Sequence, residues 1–397
     1  MLVKKIIFKN LVFFLSFFFR TNNKSWIVSL TDGGGSIIAE NCLEFAKFLK
    51  KKKVTLHIIS KKKIKTLSKY IIRPYTFKYF KALLFSKYLV VENDLHNDIP
   101  CYRELRTFKV NLFHGLALKK IYYSSNSVKN FFNKNLKNFL KKKLVGFCYP
   151  EEYNLIVTTN KSHQKIYTKA FKNKNVKIFF QPRNINLLKY VNKNSFKNSL
   201  KKKFNLDINK KIILYLPTFR DTDKKGYIHD LYSHISDINY FLKKNNLQFI
   251  LKKHSFYNIN PVDKKIFQNY KSKFFYDFSN KDYLTQELLA VADILITDYS
   301  GIYFDYLLTE KPIIFYCYDY KKYITYNREI NFNYFDNNIT PGPKVFNYPE
   351  LTKSLNYLLT EKKNKYLAHI KTAKKRFHSN LNCNYNESLY NYIVNIS

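Results

Sequence analysis

Short apolar runs, each closed by small or polar residues, recur along this chain. The clearest case lies in residues 292–319. Ile294 to Ile296 predicts a buried strand, and Thr297-Asp298-Tyr299-Ser300-Gly301 predicts a polar turn. Ile302 to Leu308 reads as a helix, and Pro312 opens a second apolar run through Tyr316. Strand, turn, helix, strand is a βαβ unit. Ligands of such units bind at the carboxyl ends of the strands. A helix starting near Ser300 points free N–H groups and its positive dipole end at that spot, which suits a phosphate.

The same alternation predicts strands at 26–30, 54–59, 88–91, 110–113, 155–158 and 176–180, with helices at 37–49 and 82–84. Gly33-Gly34-Gly35 follows the first strand but departs from G-x-G-x-x-G, so it reads as a flexible turn. Residues 190–211 have little apolar periodicity and read as a linker. A second series follows, with strands at 212–216, 249–251, 273–276, 294–296 and 313–316, then helix over 350–372. Expected, then, is an α/β protein of two doubly wound domains facing across a cleft. The expected divisions are a lead segment 1–22, a first domain 23–195 and a second domain 196–397.

Composition changes this picture little. The 397 residues suit two domains, and 46% hydrophobic content suits two cores. The formal charge of +42 invites a nucleic-acid reading, but only 8 of the 70 basic residues are arginine, the residue that reads bases. The lysines are scattered, so no specific nucleic-acid partner is expected; anionic lipid surfaces and polyanionic products are. Five cysteines, with no pair at CxxC spacing, exclude a disulfide framework and a zinc signature and fit a reducing, cytosolic location.

The lead segment is apolar from Leu11 to Phe19 except for Ser16, too short to span a bilayer and without a small-residue cleavage site. Lys5, Lys9, Ser16 and Arg20 share one arc of a helical wheel, so a helix lying in the membrane interface is expected. That places the chain peripherally on the cytoplasmic face of the cell membrane.

Candidate chemistry collects where strands end. His114-Gly115 follows one strand; alone, His114 reads first as a hydrogen-bonded turn histidine. Gln181-Pro182-Arg183 follows another, and Pro217-Thr218-Phe219-Arg220 offers a hydroxyl and a phosphate fork after a third. Lys252-Lys253-His254 and Ser300-Gly301 repeat the layout. Each basic residue singly is a solvated charge; together they lie on strand-end rims and suit a diphosphate under attack.

These segments, in this order, resemble the CDP-glycerol glycerophosphotransferase family, the teichoic-acid primases and polymerases. The resemblance rests on Phe113-His-Gly-Leu-Ala-Leu-Lys-Lys-Ile121, Gln181-Pro-Arg-Asn184, Tyr215-Leu-Pro-Thr-Phe-Arg-Asp221, Leu251-Lys-Lys-His254, Asp293 to Tyr306 and Lys311 to Asp319. Arg328 and Pro341-Gly342-Pro343 match further elements, and the lead segment resembles the family's membrane-apposed N-terminus. The resemblance implies a GT-B-like fold whose second domain holds a CDP-activated polyol phosphate. It carries donor contacts onto His114, Gly115, Arg183, Pro217, Thr218, His254, Ser300 and Asp305. Leu116, Ala117, Ile185, Lys252 and Gly301 depart from the family pattern, which loosens the identity of the polyol.

The expected reaction transfers a polyol phosphate, glycerol phosphate first, from a CDP-linked donor to a hydroxyl of a lipid-linked or capsular glycan, and releases CMP. His114 is the expected base, and His254 with Lys252 or Lys253 balances diphosphate charge. Thr218 and Ser300, with Gly301 beside it, bond phosphate oxygens, while Asp305 takes a donor hydroxyl. Arg183 clamps a phosphate or the polyol, and Asp298 and Arg220 support the site. No metal held by the protein is expected; a Mg²⁺ would come on the diphosphate. The competing readings are a GT-B glycosyltransferase using a nucleotide sugar and a non-enzymatic membrane or polyanion binder.

Overall fold

The computed structural model describes residues 10–12, 14–15, 17–31, 38–93, 95–99, 107–126, 153–218, 220, 231, 233–253, 273–326, 329–361, 364–379 and 384–397. His254, Gly33 to Gly35, Arg328, Asp221 and the basic arm of the lead segment before Asn10 lie outside them.

The first sheet contains β1 (Asn22–Ser29), β2 (Thr55–Ile59), β3 (Ile71–Ile72), β4 (Ser86–Val91), β5 (Phe108–Asn111), β6 (Leu155–Thr158) and β7 (Val176–Ile178). Their order is β3-β2-β1-β4-β5-β6-β7, and every pairing is parallel. The second contains β8 (Lys211–Leu216), β9 (Leu247–Leu251), β10 (Phe275–Asp277), β11 (Ile294–Thr297), β12 (Ile313–Tyr316) and β13 (Lys344–Val345). Its order, β10-β9-β8-β11-β12-β13, is again all parallel. Both sheets reverse direction of growth beside their first strand, between β1 and β4 and between β8 and β11. That is the Rossmann-like switch, where ligands of open sheets bind. The α/β, GT-B-like class expected from the sequence therefore holds.

Parallel strands are covered on both faces, so they read as continuous apolar runs. β6, β9, β11 and β12 are buried at every position. The covering helices of the first unit are α1 (Glu40–Leu49), α2 (Phe77–Phe85), α3 (Leu95–Asp98) and α4 (Lys161–Phe171). Asn160 caps α4, its side chain accepting the His163 N–H at 2.8 Å. In the second unit lie α5 (Asn184–Val191), α6 (Asn194–Lys203), α7 (Ile235–Lys244), α8 (Thr285–Val291), α9 (Ile302–Tyr306), α10 (Tyr320–Tyr326), α11 (Tyr348–Thr360) and α12 (Leu367–Phe377). Ile235, Ile238 and Leu242 of α7 share one face and join the core under β8, β9 and β11.

The linker expected over 190–211 is instead helical across α6. Leu200 is buried there, and Lys201 turns its ammonium back to the carbonyls of Ile208 and Lys210 at 3.1 and 2.6 Å. The helix expected over 350–372 is two helices, α11 ending at Thr360 and α12 beginning at Leu367. Two compact units emerge: Met1–Leu116 with Ile121–Arg183 and Asn380–Ser397, and Ala117–Lys120 with Asn184–Ser379. The chain thus passes to the second unit at Arg183/Asn184, ahead of the expected 195/196. It returns to the first through α13 (Tyr385–Ile396).

Candidate functional site

In the second unit the switch between β8 and β11 is built around one carboxylate. Asp298 follows β11, is fully buried, and accepts the Thr218 N–H through both oxygens at 2.9 and 3.1 Å. Thr297 Oγ1 donates to the Leu216 carbonyl at 2.8 Å and pins the two strand ends together. Arg220 reaches back from the loop after β8. Its Nη1 donates to Asp298 at 2.7 Å and to the Thr218 carbonyl at 2.6 Å, while Nε and Nη2 form a two-pronged pair with Asp319 at 2.8 and 2.9 Å. Burial works against its charge, but Asp298 and Asp319 hold the guanidinium protonated well above its ordinary value. Tyr299, stacked on Tyr323 at 3.9 Å, lies under that guanidinium and donates to Asp319 at 3.0 Å. The fork expected to grip a phosphate is therefore engaged inside the protein and fixes the shape of the Pro217–Thr218 turn.

Thr218 differs. Its side chain is buried, yet its Oγ1 has no hydrogen-bond partner among the described residues. A buried hydroxyl left unpaired costs about 1–3 kcal/mol. It stands at the switch point, beside a main-chain turn that Asp298 immobilises. Ser300 and Gly301 continue the same loop, partly exposed, with Ser300 Oγ accepting the Ile302 N–H at 3.3 Å.

The basic pair after β9 divides. Lys253 is buried and paired with Asp277 at 3.0 Å, so its charge is balanced internally. Lys252 donates to the Lys281 carbonyl at 3.0 Å from a more open position. Asp305, expected at a donor hydroxyl, is fully buried, and its oxygens accept from Asn184 Nδ2 at 3.0 Å and Gln286 Nε2 at 2.8 Å. It braces α5 and α8 against α9. Gly342 lies against β12, where a Cβ would meet the Ile313 carbonyl oxygen at 2.1 Å, so the Pro-Gly-Pro element admits no side chain there.

In the first unit His114, Gly115 and Arg183 come together. Arg183 Nη1 donates to the His114 carbonyl at 2.7 Å, and Tyr167 donates to that of Gly115 at 2.7 Å. Phe113 is left-handed (φ 52°) and Gly115 has φ 134°, where a Cβ would stand 2.6 Å from Arg183 Nη2. This tight turn leaves the His114 residue exposed while its flanks are buried. Three residues passed over in the sequence support it: Tyr167, Asn41 and Glu92. Glu92 Oε2 accepts the N–H groups of Asn41 and Cys42 at 2.9 and 3.1 Å. Burial raises its carboxyl from an ordinary 4.5 to about 8, against the pull of Arg183. Among the described residues no three His, Cys, Asp or Glu side chains gather as metal ligands.

A sequence profile for CDP-Glycerol:Poly(glycerophosphate) glycerophosphotransferase matches residues 14–395. The chain belongs to this family. Its relatives include the teichoic acid poly(glycerol phosphate) polymerase of Bacillus spizizenii, 29% identical over 68% of this chain and 66% of that one. The poly(ribitol-phosphate) polymerase of the same organism is 40% identical over 134 residues, 34% of this chain and 20% of that one. The chain therefore spans just under two thirds of the first relative and a fifth of the second. The solved wall teichoic acid polymerase TagF shares the fold, with a TM-score of 0.74 at 19% identity, covering 95% of this chain and 90% of that one.

Proposed function

We propose that this chain transfers a polyol phosphate, glycerol phosphate first, from a CDP-linked donor to a hydroxyl of a lipid-linked or capsular glycan. The acceptor oxygen attacks the polyol-bearing phosphorus, the phosphoanhydride bond breaks, and CMP leaves with the bridging oxygen. The observation that carries this reading is the buried Thr218 hydroxyl at the β8/β11 switch of a family member, without a hydrogen-bond partner among the described residues. An anionic oxygen there would receive the hydrogen bond that none of the described residues takes. Ser300 and Lys252 are the further donor contacts, with the Gly301 backbone and His254. Lys253, Arg220, Asp298 and Asp305 hold the frame. In the first unit His114 takes the acceptor proton, and Arg183 fixes the turn that presents it.

The likeness to a ribitol-phosphate polymerase over 134 residues supports a second donor, CDP-ribitol. The lead segment supports work at a membrane surface: Leu11, Phe14, Phe17 and Phe18 are exposed, Phe18 at 68%. Among the described residues no helix is long and apolar enough to cross a bilayer, so the proposed attachment is peripheral.

The test supplies CDP-glycerol, CDP-ribitol and nucleotide sugars in turn, with a lipid-linked acceptor, and measures nucleotide release. CMP release from a CDP-polyol is expected. Release from a nucleotide sugar alone, or from none, would end this reading.

A further inference from the structure

We propose that Asn41 is a positioning residue for the transfer reaction, holding the His114 turn and the Arg183 segment in place from the first turn of α1. This rests on the reading of His114 as the proton acceptor. Asn41 is fully buried on a helix whose buried residues, Glu40 apart, are otherwise Cys42, Leu43, Phe45, Ala46 and Leu49. A carboxamide in such surroundings is costly unless both ends are paired, and a small apolar residue would satisfy the packing. Both ends are paired, and with segments far apart in sequence. Nδ2 donates to the Phe113 carbonyl at 2.7 Å, and Oδ1 accepts the Arg183 N–H at 3.1 Å.

Those two partners flank the proposed chemistry. Phe113 precedes His114 and is held left-handed, a conformation costing a bulky L-residue about 1–2 kcal/mol. Such a state persists where its surroundings over-determine it. Asn41 supplies the bond to the Phe113 carbonyl, and Asn111 accepts the Phe113 N–H at 2.8 Å. Arg183, whose N–H rests on Asn41, donates its own Nη1 to the next carbonyl, that of His114. One amide thus sets both the residue before the imidazole and the arginine beside it. Glu92 in turn anchors the N-terminus of α1 through the N–H groups of Asn41 and Cys42. The whole chain of contacts lies within the first unit.

Asn41→Asp keeps the size and the acceptor for Arg183 but sets an oxygen against the Phe113 carbonyl; Asn41→Ala removes both bonds. A displacement on the order of 1 Å at a reacting group costs about a hundredfold, so kcat should fall roughly tenfold to a hundredfold in either variant. KM for the CDP-donor should stay as it is. The deciding measurement repeats each substitution on a His114→Ala background. If Asn41 acts through His114, residual turnover there does not fall further. An equal further loss would mark a merely structural effect and overturn the proposal, as would a folded Asn41→Asp with full kcat. Loss of a cooperative melt in both single variants would overturn it too. Should His114→Ala itself turn over normally, the reading of His114 falls and takes this inference with it. An inactive His114→Ala beside a fully active Asn41→Asp sinks this inference alone.

Discussion

Thr218 and Arg220 sit two residues apart on one turn and differ in what their side chains touch. Arg220 is engaged by two carboxylates and a carbonyl, whereas the buried Thr218 hydroxyl has no partner among the described residues. Replacing Thr218 with valine keeps the shape and removes the unmet group. The melting temperature should hold or rise slightly, because an unsatisfied hydroxyl stabilises nothing. Donor KM should rise by about tenfold, the equivalent of one hydrogen bond to a charged group at roughly 1.5 kcal/mol. A lowered melting temperature with unchanged KM would show the hydroxyl to be structural. That Thr218 stands at a strand end was legible from the apolar run before it. That its hydroxyl lacks a partner among the described residues while the neighbouring arginine is engaged was not, because Asp298 and Asp319 lie some eighty and a hundred residues further along the chain. The internal bonds of Asp305 and Lys253 are out of reach for the same reason: their partners Asn184, Gln286 and Asp277 are invisible to local pattern.

Most strands were legible because a parallel strand buried on both faces leaves an unbroken apolar run. Apart from β1, which begins at Asn22 rather than Trp26, their ends fall within a residue or two of expectation, as at Leu155–Thr158 and Ile313–Tyr316. Helices rich in Lys and Asn were less legible. In α6 only Leu200 and the stem of Lys201 are buried, so the periodicity was too thin to register. α13 shows what element-level pattern misses altogether. It belongs to the first unit, where Tyr390 stacks on Trp26 at 5.6 Å, Tyr385 on Phe180 at 4.1 Å, and Glu387 pairs with Lys52 at 2.6 Å. Trp26 is fully buried and is the only tryptophan in the sequence. Deleting 380–397 should therefore uncover it directly. The expected result is a red-shifted, more quenchable tryptophan emission and a lower melting temperature for the truncated protein. An unshifted spectrum would mean that α13 contributes little to this core.

At the scale of the whole molecule, several acidic groups among the described residues are committed to ion pairs. Glu44, Glu287, Asp293, Glu310 and Glu387 pair with lysines, Asp277 with Lys253, and Asp298 and Asp319 with Arg220. The full sequence nonetheless carries a formal charge of +42, and the proposed attraction to anionic lipid or polymer draws on that excess. Glu92 is a carboxyl inside the first unit that burial raises to about 8. A group whose acid form is favoured by folding binds more protons folded than unfolded between the two values. Its contribution to stability is thus complete below about 4.5 and declines as pH rises toward 8, when the buried group must ionise. Glu92→Gln supplies a neutral side chain of the same size that can still accept the N–H groups of Asn41 and Cys42. The variant should match the parent near pH 5 and melt progressively higher than it toward pH 8.5. A difference independent of pH would show that Glu92 keeps its charge in the folded protein, with Arg183 outweighing burial.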